Sequence, residues 1–307
     1  MHVFYCDHFE LPLPEGHRFP IEKYERSRLR VRDELGEAVQ FSVAPAATAR
    51  ELLAVHEPSY VDRAFNGTLS PLEQKRIGFP WSPKMLERSR RSTGATIATA
   101  QMALHEQVSV HLSGGTHHAF RDEGQGFCVF NDVAVAAMSL FISGSSQNIR
   151  RALVIDLDVH QGNGTASIFQ NDERVFTFSI HGDRNYPFRK TQSDLDIGLA
   201  DGTKDDDYLA VLNETLENRI PDQFDFVFYI AGADPHRDDR MGRMHLTTGG
   251  LMERDRVVFE YCRSRRLPIA VVMGGGYGPI ETVAQIHANT ATCAFRFWKL
   301  AQQDLLG

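Results

Sequence analysis

Runs of apolar residues alternate along the chain with segments whose hydrophobic positions recur at helical spacing. Seven of the apolar runs are predicted strands, at 2–6, 39–43, 108–112, 152–160, 174–180, 224–231 and 268–273. The predicted helices lie at 21–34, 48–55, 59–65, 82–105, 131–142, 205–219, 251–264 and 280–300. Because most of these strands are apolar on both faces, we expect a parallel sheet with helices packed on both sides.

Length and composition are those of a globular protein. The chain has 307 residues, of which 42 % are hydrophobic and 24 % are charged, and it has no internal repeat or long linker. One domain over residues 1–307 is therefore predicted. The net charge of −7 provides no basic field for nucleic acid, although it is compatible with a cationic substrate. The oligomeric state stays open.

Cysteine usage and hydropathy predict a cytoplasmic protein. The four cysteines are scattered, without a CxxC pair, which favours a reducing compartment over a disulfide framework. No apolar run approaches the roughly 18 residues that a membrane span needs. The first residues lack the basic and long apolar parts of a signal peptide.

The predicted strand at 152–160 ends in side chains that a purely structural strand avoids. Asp156, Asp158 and His160 occupy alternate positions, so an extended backbone would point all three to one side. Two buried carboxylates and an imidazole repel one another and lose water, and a divalent cation relieves both problems. The alternative is a strand end whose polar side chains are solvated.

Polar groups from four separate segments are expected to meet at one edge of the sheet. Each group follows the carboxyl end of a predicted strand, where open α/β sheets bind their ligands. The four segments contribute His117 with His118, Asp158 with His160, Asp234, and Tyr277. Taken singly, these are ordinary residues: loop histidines, a turn aspartate before Pro235, and a packing tyrosine after a glycine turn. Their convergence favours a metal site.

The donor set indicates a catalytic metal. Asp158, His160 and Asp234 are three protein ligands, as catalytic zinc sites use, with a position left for water and substrate. Fe(II) or Mn(II) would accept the same donors. Since histidine titrates near neutral pH, His117 and His118 are candidates for moving the protons of a hydrolysis.

Two further side chains would support that chemistry. Asp156 could orient one of the histidines through a ring nitrogen. Tyr277 follows three glycines that allow close backbone approach, and its hydroxyl could donate a hydrogen bond to a developing oxyanion.

Five short motifs carry these residues. They are Gly-Gly-Thr-His-His-Ala at 114–119, Gly-Phe-Cys at 126–128, Asp-Leu-Asp-Val-His-Gln-Gly-Asn-Gly at 156–164, Gly-Ala-Asp at 232–234 and Gly-Gly-Gly-Tyr at 274–277. In order and spacing they resemble the metal-dependent histone deacetylase family, which includes acetylpolyamine amidohydrolases and acetoin-utilisation proteins. The resemblance implies an arginase-like fold, a single α/β domain around an eight-stranded parallel sheet. One strand would then be missing from the pattern-based prediction.

Carried over position by position, the resemblance also implies bound ions. Asp158, His160 and Asp234 correspond to the zinc ligands of the family, and Fe(II) is the other metal considered. A structural potassium ion is implied near Asp156, with Ser179 as a side-chain contributor.

The remaining candidates receive catalytic and channel roles from the same resemblance. His118 corresponds to the general base and acid, and His117 to its electrostatic partner, paired with Asp156. Tyr277 corresponds to the residue that polarises the scissile carbonyl. The residues of the implied acyl-lysine channel are Gly126, Phe127, Tyr186 and Met241.

The chain departs from the family pattern at two positions. Asn163 stands where class I members have Asp, so one histidine would lack a charged partner. Gln161 stands where most members have a second His. These residues, together with the sequence Ile-Gly-Phe-Pro-Trp at 77–81, look closest to class IV, which suggests that acyl groups longer than acetyl are accepted.

Three function classes follow. The leading hypothesis is a zinc hydrolase that removes an acyl group from lysine in a protein or peptide, with small acylated amines such as acetylpolyamines as the alternative substrate. A binuclear manganese hydrolase of the arginase type is favoured by fold analogy alone. A non-catalytic acyl-lysine binding module would retain the pocket but lose catalytic groups, all of which are present here.

Overall fold

Eight strands pair in parallel into one sheet in the computed structural model, which describes residues 1–142 and 149–306. In chain order they are β1 (His2–Phe4), β2 (Gln40–Ser42), β3 (Val108–His111), β4 (Ala152–Asp156), β5 (Val175–Gly182), β6 (Leu195–Leu199), β7 (Phe226–Gly232) and β8 (Ile269–Gly274). Their order across the sheet is β2-β1-β3-β8-β7-β4-β5-β6. The expected parallel, eight-stranded α/β fold is confirmed.

Ten helices and a short 3-10 turn at Gly36–Ala38 are present in the described part of the chain. The helices are α1 (Lys23–Leu35), α2 (Ala49–Leu52), α3 (Pro58–Asn66), α4 (Pro71–Ile77), α5 (Pro83–Glu106), α6 (Asp132–Ile142), α7 (Asn163–Phe169), α8 (Asp205–Asn218), α9 (Thr248–Arg265) and α10 (Ile280–Leu306). None of them is long and apolar enough to cross a membrane. All of the predicted helices are present, although the one predicted at 48–55 is a single turn.

Three elements were not predicted. Among the described strands, β6 lies at the edge and pairs with β5 alone, and its half-exposed side chains lack the apolar pattern of a buried strand. Helix α4 did have a local signal, since Ser70 and Glu73 form a capping box ahead of it. Helix α7 begins directly after Gly162, where no helix was predicted. A Cβ at Gly164 would lie 2.3 Å from the carbonyl oxygen of Ala119, so close packing requires this helical glycine.

Side chains of the central strands point alternately into two hydrophobic cores. In β4, Leu153 and Ile155 join the core formed with α1, α8, α9 and α10, whereas Val154 joins the core formed with helices from the first half of the chain. Each fully buried side chain of this kind contributes about 1.5–3 kcal/mol. The apolar character of both strand faces thus follows from the helical layers on both sides.

The central strand is shorter than predicted, and this difference positions the site. Regular pairing ends at Asp156, so Asp158 and His160 lie in the following loop and not on an extended strand. The four strands that precede the candidate residues, β3, β8, β7 and β4, are consecutive neighbours in the sheet. Their loops therefore meet at one edge.

Candidate active site

The three predicted metal ligands converge behind the carboxyl ends of β4 and β7. Nδ1 of His160 lies 2.9 Å from Oδ1 of Asp158 and 3.1 Å from Oδ2 of Asp234. The three candidate ligand atoms all lie within 4.8 Å of one another, and all three side chains are buried. Such a separation is suited to donors around a single ion.

The electrostatics of this cluster fit a cation. Burial disfavours a charged imidazole, but the carboxylates of Asp158 and Asp234 outweigh it and raise the pKa of His160 to about 10. Burial and the neighbouring Asp158 raise the pKa of Asp234 to about 7. The cluster therefore attracts positive charge, and a divalent cation would supply it without a proton.

The hydrogen bonds of the candidate metal ligand Asp234 also favour a bound cation. Oδ1 of Asp234 accepts from the backbone N–H of Val159 at 2.9 Å. Its Oδ2 has no hydrogen-bond donor among the residues that the structure describes, because the 3.1 Å contact with His160 lacks hydrogen-bond geometry. A buried carboxylate oxygen without a donor is costly unless an ion coordinates it. A Cβ at Gly275, where φ is +53°, would lie 2.1 Å from that oxygen, so only glycine leaves it room.

The adjacent histidines have different partners. Nδ1 of His117 lies 2.7 Å from Oδ2 of Asp156, and Nδ1 of His118 lies 2.7 Å from Oδ1 of Asn163. Burial opposes the charged form of His117, but Asp156 raises its pKa to about 9. Burial and the neighbouring charge of His117 hold the pKa of His118 well below its ordinary value. At neutral pH, His117 is therefore protonated and His118 is not.

The loop that carries the histidines is shaped by Asp132, which sequence reasoning did not identify. Its carboxylate accepts from the backbone N–H of Gly115 at 3.1 Å and of Thr116 at 2.8 Å, and from the hydroxyl of Thr96 at 2.6 Å. Asp132 begins α6 and is fully buried. In the sequence, Asp132 follows Asn131, whose Oδ1 accepts from the backbone N–H of Ala134 and so caps α6.

Tyr277 lies in the same cavity as His118 and His160, with its ring centroid 6.3 Å from that of His160. Its backbone N–H donates to Oδ2 of Asp239 at 2.6 Å, and its carbonyl accepts from Arg240 at 2.9 Å. Burial and the nearby carboxylates raise the pKa of the phenol, so the hydroxyl keeps its proton.

Lys23 is a second buried residue that sequence reasoning missed. Its ammonium group donates to the carbonyl oxygens of Gly275 and Gly276, the latter at 3.2 Å, and lies 5.0 Å from the centre of the Tyr277 ring. Burial lowers its pKa to about 8, opposed first by Asp234. Lys23 looked like one of many charges in a solvated helix, and only its fixed place in the fold reveals the contact.

Two of the four predicted channel residues line the cavity, whereas Tyr186 and Met241 are not among its lining residues. Gly126 and Phe127 line it together with the histidines and Tyr277. The ring of Tyr186 lies 5.0 Å from that of His118, and its hydroxyl donates to Gln125 at 2.7 Å. The backbone carbonyl of Met241 accepts from Asn185 at 2.7 Å, which joins the two loops that carry Tyr186 and Met241.

Two other predicted positions have defined surroundings. Ser179 pairs in register with Asp156 across β4 and β5 and is buried, which keeps it a candidate for a potassium site. Gln161 donates to Oδ1 of Asp196 at 2.7 Å and so links the ligand loop to the unpredicted strand β6.

The parallel sheet, with a buried Asp-His-Asp cluster at its carboxyl edge, defines an α/β protein of arginase-like architecture with a candidate metal centre. The chain belongs to the histone deacetylase family, because the model of the histone deacetylase domain matches residues 17–293. That membership and the relatives' names support the predicted enzyme class, a hydrolase that acts on amide bonds.

Three relatives are similar to this chain over most of its length. An uncharacterized protein of Picosynechococcus is 44 % identical over 90 % of this chain and 91 % of its own length. Histone deacetylase 2 of Arabidopsis thaliana is 30 % identical over 80 % of this chain, which spans 64 % of that protein, and human histone deacetylase 1 is 31 % identical with 52 % of its length spanned.

The fold is shared with two solved structures. One is a histone deacetylase homologue from Aquifex aeolicus, with a TM-score of 0.79, 20 % identity, and coverage of 95 % of this chain and 83 % of its own. The other is a homologue in complex with SAHA, with a TM-score of 0.78, 22 % identity, and coverage of 98 % and 84 %.

Proposed function

We propose that this chain is a zinc-dependent amidohydrolase that removes an acetyl or longer acyl group from the side-chain amine of lysine in proteins or peptides. One observation carries the proposal. One partly open cavity is lined by the candidate metal donors Asp158 and His160, by His117 and His118, and by Tyr277. These are the three functions that amide hydrolysis by activated water requires: a metal site, a proton carrier and an oxyanion donor.

The ion would be held by Asp158, His160 and Asp234. Bound there, a divalent cation would lower the pKa of water toward about 7 and polarise an acyl oxygen. Mixed carboxylate and imidazole donors suit zinc and also Fe(II). Within the described residues there is one such group of donors, which favours one transition metal per chain over the two of an arginase-type hydrolase.

His118 is the proposed base and acid. Nδ1 of His118 faces the amide oxygen of Asn163, so its hydrogen sits on that nitrogen and Nε2 is free to accept a proton. Its lowered pKa keeps it neutral before the reaction. It would take a proton from the attacking water and return one to the departing amine. His117, held protonated by Asp156, adds positive charge beside the developing oxyanion.

Tyr277 is the proposed oxyanion donor. Its hydroxyl keeps its proton because burial and nearby carboxylates raise its pKa. Its main chain is held by Asp239 and Arg240, and its ring packs beside those of Phe19 and Phe127, so the ring needs little reorganisation when charge develops on the acyl oxygen.

Substrate and surroundings complete the proposal. Aromatic residues line the cavity, including Phe19, Tyr24 and Phe127, which suits an acyl chain. The solved homologue in complex with SAHA supports an acylated ligand. Small acylated amines are the alternative substrates.

We also propose a structural potassium ion near Asp156 and Ser179. The remaining proposals are a single catalytic domain over residues 1–307, a closest relationship to the class IV members of the family, and a cytoplasmic location.

A turnover panel tests the proposal. Purified protein is assayed with acetyl-, octanoyl- and myristoyl-lysine peptides and with acetylpolyamines, and bound metal is counted. We expect one transition metal per chain and hydrolysis of acyl-lysine. Tyr277→Phe should lower kcat by about 100-fold or more while metal binding is retained. Tyr261→Phe is the matched control, since it removes a buried hydroxyl that has no hydrogen-bond partner within residues 1–142 and 149–306.

Two results would contradict the proposal. Full turnover by metal-free protein would show that no metal takes part in the reaction. Wild-type turnover by Tyr277→Phe would show that the phenol of Tyr277 is not the oxyanion donor. Two manganese ions per chain would instead favour the arginase-type hydrolase, and turnover of acetylpolyamines alone would select the small-amine alternative.

A further inference from the structure

A fully buried ion pair lies behind the metal cluster, on the side of the sheet covered by α9. Arg254 and Asp255 are 0 % and 1 % exposed, and the guanidinium of Arg254 lies 2.8 Å from the carboxylate of Asp255. Asp255 also accepts from the hydroxyls of Tyr229 and Thr290, each at 2.5 Å. The carboxylate is thus anchored to both β7 and α10, and it fixes the guanidinium in turn.

The guanidinium reaches from this anchor to the ends of two strands. Nη1 of Arg254 donates to the carbonyl oxygen of Gly232 at 2.6 Å and to that of Leu157 at 3.3 Å. Gly232 is the last residue of β7 and lies two residues before Asp234. Leu157 follows the last residue of β4 and directly precedes Asp158. One nitrogen therefore bridges the two ligand-bearing segments.

This bridge lies where the sheet stops aligning those segments. The last backbone contact at this point is the N–H of Leu157 donating to the carbonyl of Ile230 at 3.1 Å. Beyond it the two chains turn into loops, yet they remain so close that a Cβ at Gly232 would lie 2.4 Å from the Cα of Asp158. The guanidinium of Arg254 therefore aligns the two segments beyond the point where the backbone hydrogen bonds between β4 and β7 end.

Stability alone does not account for such a pair. Desolvation of two charges offsets most of their attraction, so a buried ion pair adds little net stability over an apolar pair of similar size. What it does provide is a rigid donor in a defined place, because each partner must keep its hydrogen bonds.

We infer that Arg254 is a positioning residue that sets the spacing between Asp158 and Asp234, and thereby the affinity and geometry of the metal centre. The inference rests on the proposed metal site. Arg254 does not touch the donors. It acts through the main chain of Leu157 and Gly232, with Asp255 as its anchor.

Metal affinity and ligand-field geometry test the inference without any turnover assay. Metal-free Arg254→Lys is titrated with Zn(II) against a chromophoric chelator, and the visible spectrum of its Co(II) form is recorded. We expect the zinc dissociation constant to rise by about 10-fold or more and the Co(II) bands to shift, as for other residues that orient ligands. Asp255→Asn keeps the shape of the anchor but not its charge, and should give a smaller change in the same direction.

Thr290→Val is the matched control. It removes a hydrogen bond to Asp255 but leaves both carbonyl contacts of Arg254 in place. It should lower the melting temperature while leaving the zinc dissociation constant within about twofold of wild type. If Arg254→Lys does not fold, Asp255→Asn decides by the same two measurements.

The outcomes separate this inference from the proposed function. Folded variants at 254 and 255 with wild-type zinc affinity and an unchanged Co(II) spectrum would overturn the role of Arg254 alone. An equal loss of affinity in Thr290→Val would do the same, since it would show a general effect of destabilisation. Failure of the wild-type protein to bind Zn(II) or Co(II) would overturn the metal site itself.

Discussion

The two active-site histidines provide an internal comparison from which the effect of Asn163→Asp can be worked out. Nδ1 of His117 and Nδ1 of His118 each have a side-chain oxygen at 2.7 Å, a carboxylate of Asp156 for the first and the amide of Asn163 for the second. The pKa of His117 is raised to about 9, whereas that of His118 is lowered. A carboxylate at 163 should make the second histidine resemble the first.

The size of the change follows from the distance. Two unit charges about 4 Å apart attract by about 4 kcal/mol at an effective dielectric constant of about 20, and about 1.4 kcal/mol corresponds to one pH unit. Desolvation of the new carboxylate offsets part of this attraction. We therefore expect the pKa of His118 to rise by about 2 pH units in Asn163→Asp.

The sign of the effect on catalysis follows from the role of His118. A general base must be neutral, so raising its pKa moves the acidic limb of the kcat/KM profile to higher pH by the same amount. At pH values below the pKa of His118 in both proteins, the variant should be about 100-fold less active than wild type. The difference in activity should vanish at alkaline pH. The assay is hydrolysis of an acetyl-lysine peptide across the pH range.

A charge-matched control separates this local effect from a change in net charge. Asn213→Asp adds the same charge on the exposed face of α8, and its acidic limb should coincide with that of wild type. An acidic limb of Asn163→Asp that stays in place, or moves to lower pH, would refute the assignment of His118 as the base.

Two further predictions concern the metal centre. Gly275→Ala would place a Cβ 2.1 Å from Oδ2 of Asp234, so zinc affinity measured by chelator competition should fall by about 10-fold or more. Gly202→Ala is the control, since φ is also positive there but no atom lies within 4 Å of the new Cβ, so it should strain the backbone without lowering zinc affinity. Equal losses of zinc affinity in the two variants would contradict the steric reasoning. Removing the metal with a chelator should lower the melting temperature, because Zn(II) at about 100 times its dissociation constant stabilises the native state by about 2.7 kcal/mol, and a melting curve insensitive to chelator and Zn(II) would contradict a metal held by the folded state.

Much of the fold was predictable because a strand that is buried on both faces appears in the sequence as a run of apolar residues. The strands from β3 to β8 that lie inside the sheet are apolar runs in the sequence. Ser82 and Thr48, the first residues of two predicted helices, are the N-caps of α5 and α2. Edge strand β6 was not predicted because a half-exposed strand has no such run of apolar residues. Its existence was implied only by the family resemblance.

The candidate site divides in the same way. Asp158 and His160 were identifiable because carboxylates and imidazoles at the end of an apolar run are conspicuous. The residues that hold the surrounding loops were not identifiable, since Lys23, Asp132 and Arg254 look like ordinary helix charges along the chain. Each makes its decisive contact across more than 15 residues of sequence, where no local pattern extends.

By itself, the sequence determined the element types, the parallel sheet and the chemical nature of the donors, because hydrophobic periodicity and side-chain chemistry are local properties. Tertiary structure alone decided that β3, β8, β7 and β4 are consecutive neighbours, which brings four distant loops to one edge. It also decided the unequal protonation of His117 and His118 and the burial of Arg254. These depend on distances and desolvation, which arise only when segments far apart in the chain pack together.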